Sequence, residues 1–123
     1  MNPFQLIGMP YRLGADPVKH GKADCLSLTR TVLAHYQIAS PNPTRDWYRR
    51  LKRKDYGIFK EQLELWGTRT KTLKIGTVGL AKSGEGFCLV IYFEQGWLSC
   101  NKTEVRWVPL DCLQVDEYYC QSN

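Results

Sequence analysis

The order of local patterns along this chain predicts an α+β fold. Helical periodicity occupies the first half, in the runs after Asp24 and around Ile58, Phe59, Leu63 and Trp66. Short apolar or alternating runs separated by Gly-rich turns occupy the second half, above all Phe87 to Phe93. Helices first and antiparallel strands afterwards define that class. At 123 residues, the chain is long enough for one domain with its own core. Its hydrophobic content of 43% and charged content of 24% exclude a disordered or fibrous class. No apolar run approaches the ~20 residues of a membrane span. The N-terminus lacks a signal peptide's basic and apolar regions, so synthesis in the cytoplasm without secretion by the general route is expected.

The elements follow in order. Phe4 to Ile7 is short and apolar and reads as a strand or the start of a helix. Gly8 to Pro17, rich in Gly and Pro, reads as a loop that continues through Lys19-His20-Gly21-Lys22. Asp24 then stands where an N-cap accepts hydrogen bonds from the first free N–H groups. Leu28, Thr29, Val32 and Tyr36 follow Cys25 at helical spacing, and the helix is expected to end near Gln37, ahead of Pro41 and Pro43. A cysteine in the first turn meets the positive end of the helix dipole, which lowers its pKa and favours the nucleophilic thiolate. An inert core cysteine is the plain alternative.

Arg45 to Lys54 sets Trp47, Tyr48 and Leu51 against cations, and a second short helix ends at Gly67. The stretch from Arg45 to Lys74 holds ten basic residues against four acidic ones, whereas the rest of the chain is nearly balanced. Such a segment suits phosphate contacts, an acidic protein partner or plain solvation, and no nucleic-acid motif accompanies it. Lys74 to Leu80 reads as a turn entering a strand, and Ser83-Gly84-Glu85-Gly86 as a turn. Phe87–Phe93 reads as a central strand buried on both faces, and Glu94-Gln95-Gly96 closes a hairpin onto Trp97–Cys100. Glu104–Val108 alternates and stops at Pro109, and the tail from Leu110 to Cys120 reads as a turn plus an edge strand. The five cysteines (Cys25, Cys88, Cys100, Cys112 and Cys120) form no CxxC pair, which argues against a zinc ribbon.

Three stretches carry a resemblance. Pro10-Tyr11-Arg12-Leu13-Gly14-Ala15 followed by Asp24-Cys25-Leu26-Ser27-Leu28 resembles the Tyr-Arg-x-Gly-Gly … Asp-Cys-Ser-Gly-Leu signature of NlpC/P60 cysteine peptidases. Leu73 to Leu80 is similar to that family's Gly-Asp-x-x-x-Phe strand, and Cys88 to Cys100 to its His-Val-Gly-Ile-Tyr hairpin. The resemblance spans about residues 8–110. It implies a papain-like fold, with N-terminal helices on a C-terminal antiparallel sheet, for a single domain 1–123 with a basic helical insertion at about 41–70. The ending Val105 to Leu110 and that insertion resemble the small NlpC/P60-like proteins of phage tail tips and baseplates.

Carried over, the resemblance places the nucleophile on Cys25 and the oxyanion-stabilising tyrosine on Tyr11. The histidine positions for base and orienting residue fall on Cys88 and Cys100. A thiol lacks the second ring nitrogen of imidazole and titrates near ~8.5, so it does not replace the base. His35 lies ten residues along the same helix from Cys25, roughly 15 Å away. His20, in the preceding loop, is the remaining candidate base. The resemblance thus implies a structural virion component, a phage tail protein that does not hydrolyse peptides, made in the host cytoplasm. Its expected partners are other tail proteins, met through segment 45–74, with cell-wall peptide as a second ligand and nucleic acid not expected. The alternative is an active cell-wall endopeptidase with His20 as base.

No cofactor is expected. If Cys25, Cys88 and Cys100 converge, three states stay open: zinc or an iron–sulfur cluster with Cys112 or Cys120 as fourth ligand, a disulfide, or a pocket filled by apolar thiols.

Overall fold

A computed structural model describes residues 1–41, 45–84 and 86–121. Glu85 of the expected 83–86 turn and residues 42–44 of the 41–70 segment lie outside the described residues. The chain opens with a 3-10 turn, Pro3–Leu6, capped by Asn2, whose Oδ1 accepts the Phe4 N–H. The loop expected through residue 22 is interrupted by one helical turn, α1 (Pro17–His20). Asp16 caps it, Pro17 opens it, and left-handed Gly21 ends it.

Helix α2 (Cys25–His35) begins at the Asp24 cap, as the sequence predicts. Its end has a different cause from the one expected. Gln37 N–H donates to Ala34 O and Ile38 N–H to Leu33 O, the double closure of a Schellman motif, with Gln37 in the left-handed region at φ 59°. The helix therefore stops through its own hydrogen bonds, before Pro41 is reached.

Helices α3 (Arg45–Lys52) and α4 (Gly57–Trp66) fill the basic segment. They are part of the core: Trp47, Ile58, Phe59 and Leu63 are all buried in the main apolar cluster. At about 1.5–3 kcal/mol for each such side chain, these helices are integral to the domain's stability. Gly67 follows α4 with φ −147°, so it is not the expected left-handed cap. A Cβ there would lie 2.6 Å from Cys120 O, and the glycine permits that close approach.

Strands β1 (Thr68–Thr70), β2 (Val78–Ser83), β3 (Gly86–Phe93), β4 (Gly96–Cys100), β5 (Val105–Pro109) and β6 (Val115–Cys120) form one sheet, with a 3-10 turn at Leu110–Cys112. The order is β1-β6-β2-β3-β4-β5, and every pairing is antiparallel. The tail strand β6 is therefore interior. β1, whose Thr-Arg-Thr carries no pattern, covers its outer side. The β3–β4 connection places Glu94 and Gln95 at φ 49° and 58°, and Gly96 already belongs to β4. Two positive values match the twist of a two-residue hairpin.

Helices α2 and α4 pack on one face of the sheet, burying Leu89, Ile91, Phe93 and Leu98. Val90, Ala81 and Trp97 form a smaller cluster on the other face. Strand β3 is thus covered on both sides. No helix among the described residues is long and apolar enough to cross a membrane.

Candidate functional site

The site is built where α2 meets the sheet. Asp24 is 2% exposed, and its carboxylate is held on two sides: Ser27 N–H donates to Oδ1 at 2.7 Å and Gly14 N–H to Oδ2 at 2.8 Å. Ser27 Oγ in turn accepts the Asp24 N–H at 3.0 Å, completing a capping box. One carboxylate therefore fixes both the start of α2 and the Gly14 loop. Tyr11 is aligned by the same junction, since Ala23 N–H donates to Pro10 O and Arg12 N–H to Ala23 O. Its own N–H donates to Thr103 O, tying this segment to the turn before β5.

The sheet opens at the same place. The β3–β4 ladder runs from Phe93↔Gly96 to Ile91↔Leu98 and stops there. Strand β4 continues beside β5 as far as Cys100↔Val105. The part of β3 without a β4 partner, still paired with β2, holds Cys88 and Leu89, the part of β4 without a β3 partner holds Cys100, and the first turn of α2 stands beside both. A cleft of about 480 Å³ results, lined by Tyr11, Cys25, Cys88 and Cys100 together. All four residues predicted from the sequence thus border one space.

The electrostatics differ from the expectation for a cysteine at a helix start. Burial pushes the Cys25 thiol well up, with Cys88, Asp24 and Cys100 adding to the rise and the Leu89 N–H opposing it. Desolvation of a thiolate outweighs the helix dipole here, and the Asp24 carboxylate adds to the rise. Cys88 is pushed up to about 11 by burial, and Cys100 to about 12 by burial and then by Asp24. Cys100 Sγ–H donates to Ala23 O at 3.5 Å, as a neutral thiol does. Tyr11 is also raised, by burial first and Asp24 second. At neutral pH all four are protonated.

Neither histidine reaches this cleft. His20 is exposed at the end of α1, and its Nδ1 accepts the Asp16 N–H at 2.9 Å. His35 lies at the far end of α2, edge-on to Tyr36. The three cysteines share the cleft but do not compose a metal-ligating group: no set of three or more His, Cys, Asp or Glu suited to a metal occurs among the described residues. Cys88 also packs against the Val90 and Trp97 cluster behind the sheet. All five thiols are free.

Several site residues escaped the sequence reading. Tyr48 is pushed up by burial and by the neighbouring Asp24 carboxylate, so α3 reaches the capping aspartate. The Tyr56 ring packs against Gly86, where any Cβ would collide with it, and both border the cleft. Lys54 and Lys102 also line it. The aromatic spacing of α3 signals burial but not which residue it meets.

The basic segment is partly neutralised by its own surroundings. Arg50 pairs with Asp55 at 2.7 Å and with Glu61, while Lys60 and Arg69 share Glu117 at 3.2 and 3.7 Å. No protein-family model matches the chain, and no curated protein matches it.

Proposed function

We propose that this chain is a degenerate NlpC/P60 domain that serves as a structural component of a phage tail tip or baseplate and does not hydrolyse peptide bonds. The observation that carries the reading is the cleft itself. Four positions matched to the family's machinery border one space, and those matched to its two histidines hold protonated thiols. A general base must be deprotonated near the operating pH and able to reach the nucleophile's proton. Cys88 and Cys100 fail the first requirement, and His20, turned to its own helix N-terminus, fails the second.

The tail assignment draws on the resemblance of Val105–Leu110 and of the central helices to small phage tail proteins. The surface of 45–74 supports a docking role through cations with no carboxylate partner among the described residues, such as Lys52, Arg53, Lys71 and Lys74.

The test has two arms. Incubation with purified cell wall is expected to release no peptide fragments, with the wild-type protein and Cys25→Ala giving the same mass-spectrometric profile. Fragments lost in Cys25→Ala, and lost again in His20→Ala, would establish the endopeptidase instead. In the second arm, the protein is expected in purified DNA-filled particles of the phage that encodes it. Its absence from them would remove the virion assignment.

A further inference from the structure

The cleft is more than a vacated catalytic site, because its walls combine three chemistries. Leu13, Leu51, Phe59 and Phe87 supply apolar surface, Tyr11, Tyr56 and Asn101 supply hydrogen-bonding groups, and Lys54 and Lys102 supply positive charge. Its volume of about 480 Å³ falls within the ~300–1,000 Å³ typical of ligand sites.

The two lysines are set apart from the neighbouring cations. Arg50, Lys60 and Arg69 each have a carboxylate partner, whereas Lys54 and Lys102 have none within 4 Å among the described residues. Both stand on turns fixed by hydrogen bonds. Lys54 occupies the left-handed region at φ 61°, and its N–H donates to Leu51 O at 3.0 Å. A lysine there is held in a conformation that long side chains seldom adopt. Lys102 sits in the turn where Asn101 Oδ1 accepts the Thr103 and Glu104 N–H groups at 2.7 and 2.8 Å. Asp24 is the one carboxylate lining the cleft among the described residues, and the N–H groups of Ser27 and Gly14 occupy its oxygens. The thiols are uncharged, so the cleft favours an anion at Lys54 and Lys102 and an apolar group deeper in.

We propose that the cleft receives the C-terminal end of a partner polypeptide, its last apolar side chain against Phe59, Phe87 and the thiols and its α-carboxylate between Lys54 and Lys102. The inference rests on the non-hydrolytic reading above, since a bound chain end must survive. The mixed lining favours a peptide over an acyl chain, because an acyl chain would cover the Tyr11 and Tyr56 hydroxyls without offering them a hydrogen-bond partner. Capture of a terminal carboxylate is an established mode of peptide recognition.

The test uses the full chain, labelled with nitrogen-15 and titrated with acetyl-Val-Phe-Leu as the free acid and as the C-terminal amide. The acid is expected to shift the amide signals of Cys25, Cys88 and Asn101, and the amide peptide to bind at least about 10-fold more weakly. Lys54→Glu with Lys102→Glu, both at exposed positions, is expected to abolish that preference while leaving the remaining spectrum unchanged. Equal binding of acid and amide, or no shift at the cleft, would overturn the proposal. So would tighter binding of decanoate or of a cell-wall tripeptide. Mass spectrometry of the same samples separates the two readings: cleavage of the peptide refutes the non-hydrolytic function, whereas an intact but unbound peptide refutes only this inference.

Discussion

The two sides of the cleft meet the same problem, burial of polar atoms, in opposite ways. On the α2 side, Asp24 is almost fully buried, yet its carboxylate is occupied by N–H groups of two separate segments. On the β3–β4 side, Cys88 and Cys100 present thiols, whose weak polarity lets them remain protonated, with Cys100 making only long Sγ–H contacts to backbone oxygens. The first side is saturated with short hydrogen bonds, and the second makes only long, weak ones. Substitution of the thiols therefore leaves the Asp24 frame in place, because none of its hydrogen bonds involves Cys88 or Cys100.

Three changes would break or sharpen this contrast. The largest effect is expected from Asp24→Ala, which orphans the buried Ser27 N–H and releases the Gly14 loop, and should cost on the order of 2–3 kcal/mol. Cys100→Ala should cost about 1 kcal/mol by the same urea denaturation, and equal losses would dissolve the distinction. Next, Cys88→His with Cys100→His should return a base to the cleft. Alkylation of Cys25 by iodoacetamide at neutral pH, followed by peptide mapping, is expected to accelerate at least about 10-fold. An unchanged rate would show that these positions do not address the Cys25 sulfur.

The smallest effect concerns alkaline pH. The folded Cys88 and Cys100 thiols titrate at about 11 and 12 against an ordinary 9.0, so the native state binds more protons than the unfolded chain between those values. Their contribution is complete below about pH 9 and is lost as pH rises through the folded values. The urea midpoint should therefore decline above about pH 9, and less steeply in Cys88→Ala with Cys100→Ala.

Much of this arrangement was legible in the sequence wherever a local rule decided it. The Asp24 cap, the face of α2, the aromatic side of α3 and the buried run of β3 follow from spacing alone. Helix α1 carried its punctuation, Asp16-Pro17 and Gly21, but four residues are too few to show a period. The interior position of β6 was hidden because its cover, Thr68–Thr70, has no hydrophobic signature. The charge state of Cys25 was misread for a deeper reason: the dipole is local, while the desolvation that exceeds it comes from chain far away in sequence. Lys54 and Lys102 border one cleft although 48 positions separate them, a proximity that only the tertiary structure creates.

The self-contained end of α2 has an evolutionary consequence. Because Gln37 and Ile38 close the helix by bonding back to Ala34 and Leu33, no downstream residue is required to define where it stops. Insertions and deletions between Ala39 and α3 can accumulate without altering the register of the cysteine-bearing helix. Further along the chain, Trp66 Nε1–H donates to Ala39 O at 2.7 Å. The connection after Ala39 and the exposed charges of α3 and α4 can therefore vary while the Cys25 junction is kept, whereas Trp47, Tyr48 and Phe59, which pack on the core and the site, are tied to it.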